Sequence, residues 1–347
     1  MSADWQQQFN QFSFAYPRTG LTAGFKQQVE DFIVDEVLPF ELTGEGEHAW
    51  LHIRKTDSNT DWVAGQIANY AEVKKANVGY AGLKDRFGIT SQWFSVYLPG
   101  REVDWHDFNV EGVAKGIEIL TATRHQKKLQ RGALKSNRFT IRLRDLSGDP
   151  DLLQAQCELI QKQGVPNYFG EQRFGRGFSN MDEAERMFLQ PKKRLPRHKR
   201  SLYLSAARSW LFNHIVSQRV AAGNWNRKIK GDVFMLDGRS ACFSDDASAD
   251  LDARLASGEI HPTAVMWGDG DSMAKADCAA LESSIIDGYP LLRDGLVAAR
   301  VAQQRRATRL MVKDLLCEQD GSDMVLKFSL QSGSYATMVL RELVEVG

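Results

Sequence analysis

Residues 80–92 run Tyr80, Ala81, Gly82, Leu83, Lys84, Asp85, Arg86, Phe87, Gly88, Ile89, Thr90, Ser91 and Gln92, and few backbones accommodate that order of side chains. Gly82 and Gly88 bracket a carboxylate that stands between two cations, and Trp93 to Leu98 follows as an apolar, strand-like run. The pattern predicts a tight bend that delivers Asp85 to the start of a strand. A free Asp ionises with a pKa of about 3.9. Burial raises that value and an adjacent cation lowers it. Asp85 can therefore enter a partly closed pocket and stay ionised. The same residues also suit an ordinary hairpin turn in which Asp and Gly serve only the backbone.

Around this bend the chain alternates strand and helix patterns. Residues 1–20 read as a polar, extended lead-in with scattered aromatics, Phe9, Phe12, Phe14 and Tyr16. Phe25 to Glu36 and His48 to Arg54 read as strands, separated by a Gly44–Glu47 turn. His48 and His52 share a strand face and lack a third ligand at a metal-like spacing. Asn59 and Thr60 offer a cap for a helix to about Val73, with Trp62, Val63, Ile67 and Tyr70 as its apolar stripe. Phe139 to Arg144 alternates as a strand, and a helix from about Asp149 to Gln163 ends at Gly164. Pro191 to Arg200 reads as a basic loop before an amphipathic helix, Leu204 to Ala221. Helical and loop segments continue to about Val312. A strand from Val325 to Leu330 and a short helix from Tyr335 to Leu343 close the chain. Pattern alone says α+β.

The 347 residues are 43% hydrophobic and 25% charged, which describes a globular protein of about two domains. No apolar run is long enough for a membrane span, and residues 1–8 lack the basic start and apolar core of a secretory signal. Cys157, Cys242, Cys278 and Cys317 are widely spaced, which fits reduced thiols in a cytoplasmic protein. The net charge is zero, but its distribution is uneven. Arg124 to Arg144 holds eight Lys/Arg and no acid, Arg186 to Gly231 holds twelve and no acid, and Asp232 to Asp294 holds thirteen acids against four Lys/Arg. Such segregation predicts a basic face suited to nucleic-acid phosphates. The Gly-rich Gly170–Gly177 segment lacks the ending of a phosphate loop and carries no dinucleotide fingerprint.

Ala81 to Asp85, with Thr90 and Gln92, resembles the catalytic motif of the TruD family of tRNA pseudouridine synthases. The resemblance recurs in order at Glu30–Phe32, Gly44–His48, Gly132–Phe139, Val165–Gly170, Gln172–Gly175 and Ser332–Thr337, over nearly the whole chain. Gly88 departs from the pattern, where the family often has a slightly larger small residue; the expectation is a change in bend flexibility and not in chemistry. The resemblance implies a pseudouridine-synthase-like catalytic domain with a mixed, mostly antiparallel sheet. That domain would be discontinuous, residues 1–163 and 313–347, around an inserted α/β TRUD domain, residues 164–312. It also implies an isomerase acting on tRNA, at uridine 13 if the likeness extends to the substrate.

That chemistry exchanges no electrons or groups, so neither cofactor nor metal is expected; the expected state is a monomer. Asp85 is the candidate nucleophile or base, with Lys26 and Lys84 as candidate cationic partners, Lys26 slightly preferred because successive strand side chains face opposite ways. Motif matches make Phe32, Phe139 and Tyr335 the aromatic candidates for the uracil and Asn137 its hydrogen-bond reader. Core packing explains the phenylalanines equally well, and a turn explains Asn137. Arg131, Lys135, Lys192, Lys193, Arg194, Arg197, Lys199 and Arg200 are the expected contacts to the RNA backbone. A non-catalytic tRNA-binding or RNA-folding protein with the same basic face is the alternative. A phosphotransferase is disfavoured, because cations and not a second carboxylate flank Asp85.

Overall fold

The computed structural model describes residues 4–113, 115–191, 194–244 and 250–347. Lys192 and Lys193 lie outside the described residues. In chain order the elements begin with α1 (Trp5–Asn10), β1 (Thr22–Phe25), β2 (Phe32–Val37), β3 (His48–Thr56), α2 (Thr60–Tyr70), β4 (Val78–Tyr80) and β5 (Ile89–Tyr97). They continue with α3 (His106–Val113), β6 (Ile117–His125), β7 (Ser136–Ser147), α4 (Pro150–Gln163), β8 (Val165–Pro166), α5 (Ser179–Leu189) and α6 (Arg197–Ala221). Next are β9 (Val233–Leu236), β10 (Cys242–Ser244), α7 (Leu251–Ser257), β11 (Ile260–Met266), α8 (Ala276–Asp287), α9 (Pro290–Ala298), β12 (Gln304–Ala307) and β13 (Arg309–Leu310). The chain closes with β14 (Lys313–Asp320), β15 (Asp323–Gln331), α10 (Ala336–Leu343) and β16 (Glu345–Val346).

These elements form two compact units. One holds residues 20–157, 313–333 and 344–347; the other holds the residues up to Thr19, 158–312 and 334–343. The division differs from the expected 1–163 and 313–347 at both ends of the chain. The N-terminal residues are not an extended lead-in. They form α1 and the turn after it, whose aromatics are core residues of the second unit: Trp5 of α1 meets Trp210 edge-on at 5.1 Å, and Phe12, just past the helix, stacks on Tyr168 at 5.6 Å.

The first unit is built on a ten-stranded sheet of order β14-β15-β7-β2-β5-β3-β6, with β1 beside β7, β16 beside β1 and β4 beside β5. The β2–β5 and β1–β16 pairs are parallel and the rest antiparallel, the mixed, mostly antiparallel arrangement expected. β7 alternates because its buried face, Phe139, Ile141 and Leu143, packs inward while Arg138, Arg142 and Arg144 face away. Phe139 lies opposite Val34 on one side and Phe328 on the other. Val63, Ala64, Ile67 and Ala68 of α2 pack on Leu51, Ile53, Phe94 and Val96.

The register puts Phe32, Val34 and Glu36 of β2, Thr90 and Gln92 of β5, Lys55 of β3, and Asn137 and Phe139 of β7 on one sheet face. Polar side chains in the middle of an otherwise apolar face are expensive unless paired, so their partners are the next question.

The second unit contains the antiparallel sheet β10-β9-β11-β12, with α6 beside β11, and the short pair β8–β13. The sequence pattern over residues 233–307 predicts helix and loop; the strands there are three to seven residues long, too short to announce themselves by alternation. α6 begins at Arg197, so Arg197, Lys199 and Arg200 belong to a helix and not to a loop. Among the described residues no helix is long and apolar enough to cross a membrane.

Candidate active site

Asp85 sits in the bend between β4 and β5, and its side chain keeps 44% of its surface. The Lys26 ammonium donates to its Oδ2 at 3.0 Å. Lys26 follows β1 with φ +55°, a left-handed conformation uncommon for a side-chain-bearing residue. Its Nζ lies 3.7 Å from the centroid of the Phe32 ring and 5.5 Å from that of Phe25. The ammonium is thus held between a carboxylate and an aromatic face, both of which attract it. Phe32 packs on Phe139 at 6.0 Å, and Phe139 stacks on Phe328 at 5.4 Å. Both Phe32 and Phe139 are buried, and the Lys26 ammonium that binds the carboxylate also lies against the Phe32 ring. Gly88 has φ +144°, and a Cβ there would lie 2.6 Å from the Phe32 carbonyl oxygen. The departure at this position therefore concerns close approach to β2 as well as bend flexibility.

Lys84 turns the other way from Asp85 and meets Glu36 Oε1 at 2.5 Å. Glu36 also accepts the Trp93 backbone N–H at 2.9 Å. Burial pushes the Glu36 carboxyl up from its ordinary range, and the Lys84 ammonium opposes that shift. A third cation, Lys55, is fully buried and donates to the carbonyl oxygens of Ser58 at 2.6 Å and Asp85 at 3.0 Å. Burial lowers its pKa to about 8. Thr60 Oγ1 accepts the Lys84 backbone N–H at 3.0 Å and donates to Gln92 Oε1 at 2.8 Å. Arg86 pairs with Asp57 at 3.1 Å. The bend is therefore pinned at Lys84 and Asp85 from β3, α2 and β5, so the Asp85 carboxylate is presented by a rigid frame. Thr90 Oγ1 and Asn137 Oδ1 are buried without a hydrogen-bond partner among the described residues. Unsatisfied buried polar atoms are uncommon and call for an explanation such as a catalytic role. Three ammonium groups and two carboxylates leave the cluster cationic, which suits an anionic substrate.

Tyr335 belongs to the second unit, just before α10. Arg173 Nε donates to its hydroxyl at 2.9 Å, and Phe169 meets its ring edge-on at 5.9 Å. The Arg306 guanidinium lies 4.2 Å from the Phe169 ring centroid and donates to Asn167 Oδ1 at 2.6 Å; burial lowers its pKa to about 10. Gly170 makes room for this platform, since a Cβ there would lie 2.9 Å from the Tyr335 ring. Phe169 and Arg173 stand inside the motif blocks, which is the signal that could have found them; Glu36, Lys55 and Arg306 give no sequence signal.

The described basic candidates are exposed. Arg131, with its guanidinium 4.1 Å from the Tyr80 ring centroid, and Lys135 are in the first unit; Arg194, Arg197, Lys199 and Arg200 are in the second. The three on α6 crowd positive charge into a helix start, which the helix dipole disfavours in the absence of an anion. His48 and His52 pack on Tyr97 and Trp93 at 5.0 and 4.7 Å.

The Asp85 carboxylate is solvent-reachable on a pinned bend, with one buried ion pair, Lys84–Glu36, and the Phe32 and Phe139 rings on the mixed sheet behind it. Comparison with known proteins gives the class. The model of the family "tRNA pseudouridine synthase D (TruD)" matches residues 8–184 and 178–343. A Methylococcus capsulatus protein named tRNA pseudouridine synthase D is 50% identical over 319 residues, 91% of this chain and 89% of its own. A Hydrogenovibrio crunogenus protein of the same name is 44% identical over 337 residues, 96% of each chain. A solved structure from Methanosarcina mazei, assigned to tRNA pseudouridine synthase D, shares the fold with a TM-score of 0.72 at 22% identity, covering 97% of each chain. The chain belongs to the tRNA pseudouridine synthase D family, a family of isomerases.

Proposed function

We propose that this protein isomerises a uridine of tRNA, uridine 13, to pseudouridine, with the Asp85 carboxylate acting on the ribose. The observation that carries the reading is the Lys26–Asp85 pair, 3.0 Å long and lying against the Phe32 face. The names of the relatives support tRNA as the substrate. The unit that holds Asp85 is the catalytic one, and the second unit, built mostly from residues 158–312, is the RNA-binding one.

In the reaction the N1–C1′ bond breaks, the uracil turns, C5 bonds to C1′, and the C5 hydrogen leaves as a proton while N1 gains one. Two routes use the same ionised oxygen: attack on C1′ to give a sugar ester, or removal of a ribose proton to give a glycal. Lys26 orients the carboxylate by donating to its Oδ2, and Lys84 acts through Glu36 to hold the bend. Extrusion of the uridine from folded RNA loses stacking. Phe32 and Phe139, both buried, form the apolar floor beneath the Lys26–Asp85 pair on which the uridine is received, and the unpartnered Asn137 Oδ1 accepts from a uracil N–H. Tyr335, with Arg173, offers the RNA an aromatic and cationic surface in the second unit. Arg131, Lys135 and the α6 cations hold the backbone, so affinity falls with salt.

The test is release of tritium from C5-labelled uridine in unmodified tRNA, with the product site mapped. The wild-type chain is expected to release tritium and mark position 13, and Asp85→Asn to bind tRNA without release. Equal release by the variant would remove Asp85 from the mechanism, and none by the wild type would leave a non-catalytic RNA-binding protein.

A further inference from the structure

The unit that holds Asp85 contains a cavity, of about 460 Å3, which none of the residues assigned above lines. That volume falls in the range of small-molecule pockets. Its walls are aromatic. Phe40 lies parallel to His125, with centroids 5.3 Å apart and planes at 13°, and Trp50 meets His125 edge-on at 5.2 Å. Phe40 nevertheless keeps 40% of its surface exposed, so one stacking surface remains open.

The polar groups are fixed as well. Thr43 approaches His125 Nδ1 with its backbone N–H at 3.4 Å and its hydroxyl at 3.3 Å. Nδ1 is then the acceptor, and the neutral ring carries its proton on Nε2. Burial and the Lys127 charge hold the His125 pKa below its ordinary value, in keeping with a neutral ring. Trp50 Nε1 donates to the Lys127 carbonyl at 3.0 Å and locks the segment that forms the rim. Lys127 and Gln130 are exposed there, within the acid-free stretch 124–144. Leu129 and Ala133, on the cavity wall, pack with Ala81, and the Gly132 N–H donates to the Ala81 carbonyl at 2.8 Å. The wall is therefore tied to the strand end that leads into the Asp85 bend.

We propose that this cavity takes a second unstacked nucleobase of the RNA substrate. The base lies on the open face of Phe40, its polar edge meets the amides of Gln126 and Gln130, and its phosphate meets Lys127. The assignment rests on the RNA-modifying function proposed above. A base needs a flat apolar surface, a few edge partners and a nearby cation, and all three converge here.

The test titrates fluorescein-labelled penta-uridylate and penta-adenylate into the full chain and into Phe40→Ala and Phe40→Tyr, then irradiates the complexes at short wavelength. Loss of one base stack is expected to raise Kd roughly tenfold in Phe40→Ala. Phe40→Tyr, which keeps the ring, is expected to bind like the wild type, so a folding defect cannot imitate the result. Crosslinks are expected in the peptides that contain Phe40 or His125 to Ala133. Unchanged affinity in Phe40→Ala, or crosslinks confined to other peptides, would overturn the proposal. Wild-type modification of tRNA is scored in parallel. Its presence with unchanged Phe40→Ala binding sinks only the second base site, and its absence sinks the isomerase reading while the oligonucleotide results still decide the pocket.

Discussion

Glu36→Gln tests whether the frame beneath Asp85 depends on its buried ion pair. In the wild type the two side chains retain only 0% (Glu36) and 9% (Lys84) of their surface and meet at 2.5 Å. Solvent cannot screen such a pair, and the amide of Gln leaves the Lys84 ammonium buried beside a neutral group. Breaking one side of a buried pair costs about 3–5 kcal/mol. The Gln oxygen can still accept one hydrogen bond, so the lower end, about 3 kcal/mol, is the expected loss. Lys84→Met is expected to lose a similar amount, because it strands the Glu36 carboxylate. The double variant Glu36→Leu/Lys84→Met strands neither charge and should recover most of the loss, for a coupling of at least about 2 kcal/mol. Urea unfolding at pH 7 of the wild type, Glu36→Leu, Lys84→Met and the double variant measures the coupling, and Glu36→Gln is measured alongside. Lys84 is the chain neighbour of Asp85, so folded Glu36→Gln should also turn over at least about tenfold more slowly, since small misplacements of catalytic groups are costly. A Glu36→Gln variant within about 0.5 kcal/mol of the wild type, or strictly additive single changes, would refute a tightly coupled pair.

Lys26→Met removes a pair whose carboxylate is 44% exposed. Stability should change by less than about 1 kcal/mol, while tritium release falls by roughly a hundredfold or more; a large loss of stability with little loss of turnover would reverse the assignment. Charge reversal at Arg194, Arg197, Lys199 and Arg200 should weaken tRNA binding and lower the slope of log K against log salt by about 0.7–0.9 for each phosphate no longer neutralised. An unchanged slope would mean that these side chains do not meet RNA. Glu342 is buried, accepts the backbone N–H groups of Ala15 and Tyr16, and has its pKa pushed up to about 7 by burial. Its folded form binds a proton more tightly than its unfolded form, so stability should fall as pH rises from the ordinary carboxylate range through 7, by about 3 kcal/mol in all. Glu342→Gln should flatten that decline in melting scans, and an unchanged pH profile would count against it.

The bend at Asp85 and the alternating strand at Phe139 are legible in the sequence because each is a local property, turn residues in one case and a two-residue period in the other. The neighbours of Asp85 are less so. Lys26 is distant in the chain and reaches Asp85 through the parallel and antiparallel pairings of β1, β7, β2 and β5, none of which a local pattern encodes. Glu36 and Lys55 are buried although they are charged, because their burial follows from register and not from composition. The aromatics of residues 5–12 look scattered in a polar segment; their partners Tyr168, Phe174 and Trp210 come much later in the sequence. The α6 boundary is hidden because Pro196 reads as a break, whereas it stands immediately before the first helical residue.

β7, which bears Asn137 and Phe139, is hydrogen-bonded along most of its length to β15, from Met324–Leu143 to Gln331–Ser136. β15 follows β7 only after the whole of residues 148–322, so the ribosome must have passed β15 before this sheet can close, and a nascent polypeptide that stops short of it carries Asn137 and Phe139 on a strand whose partner is still missing.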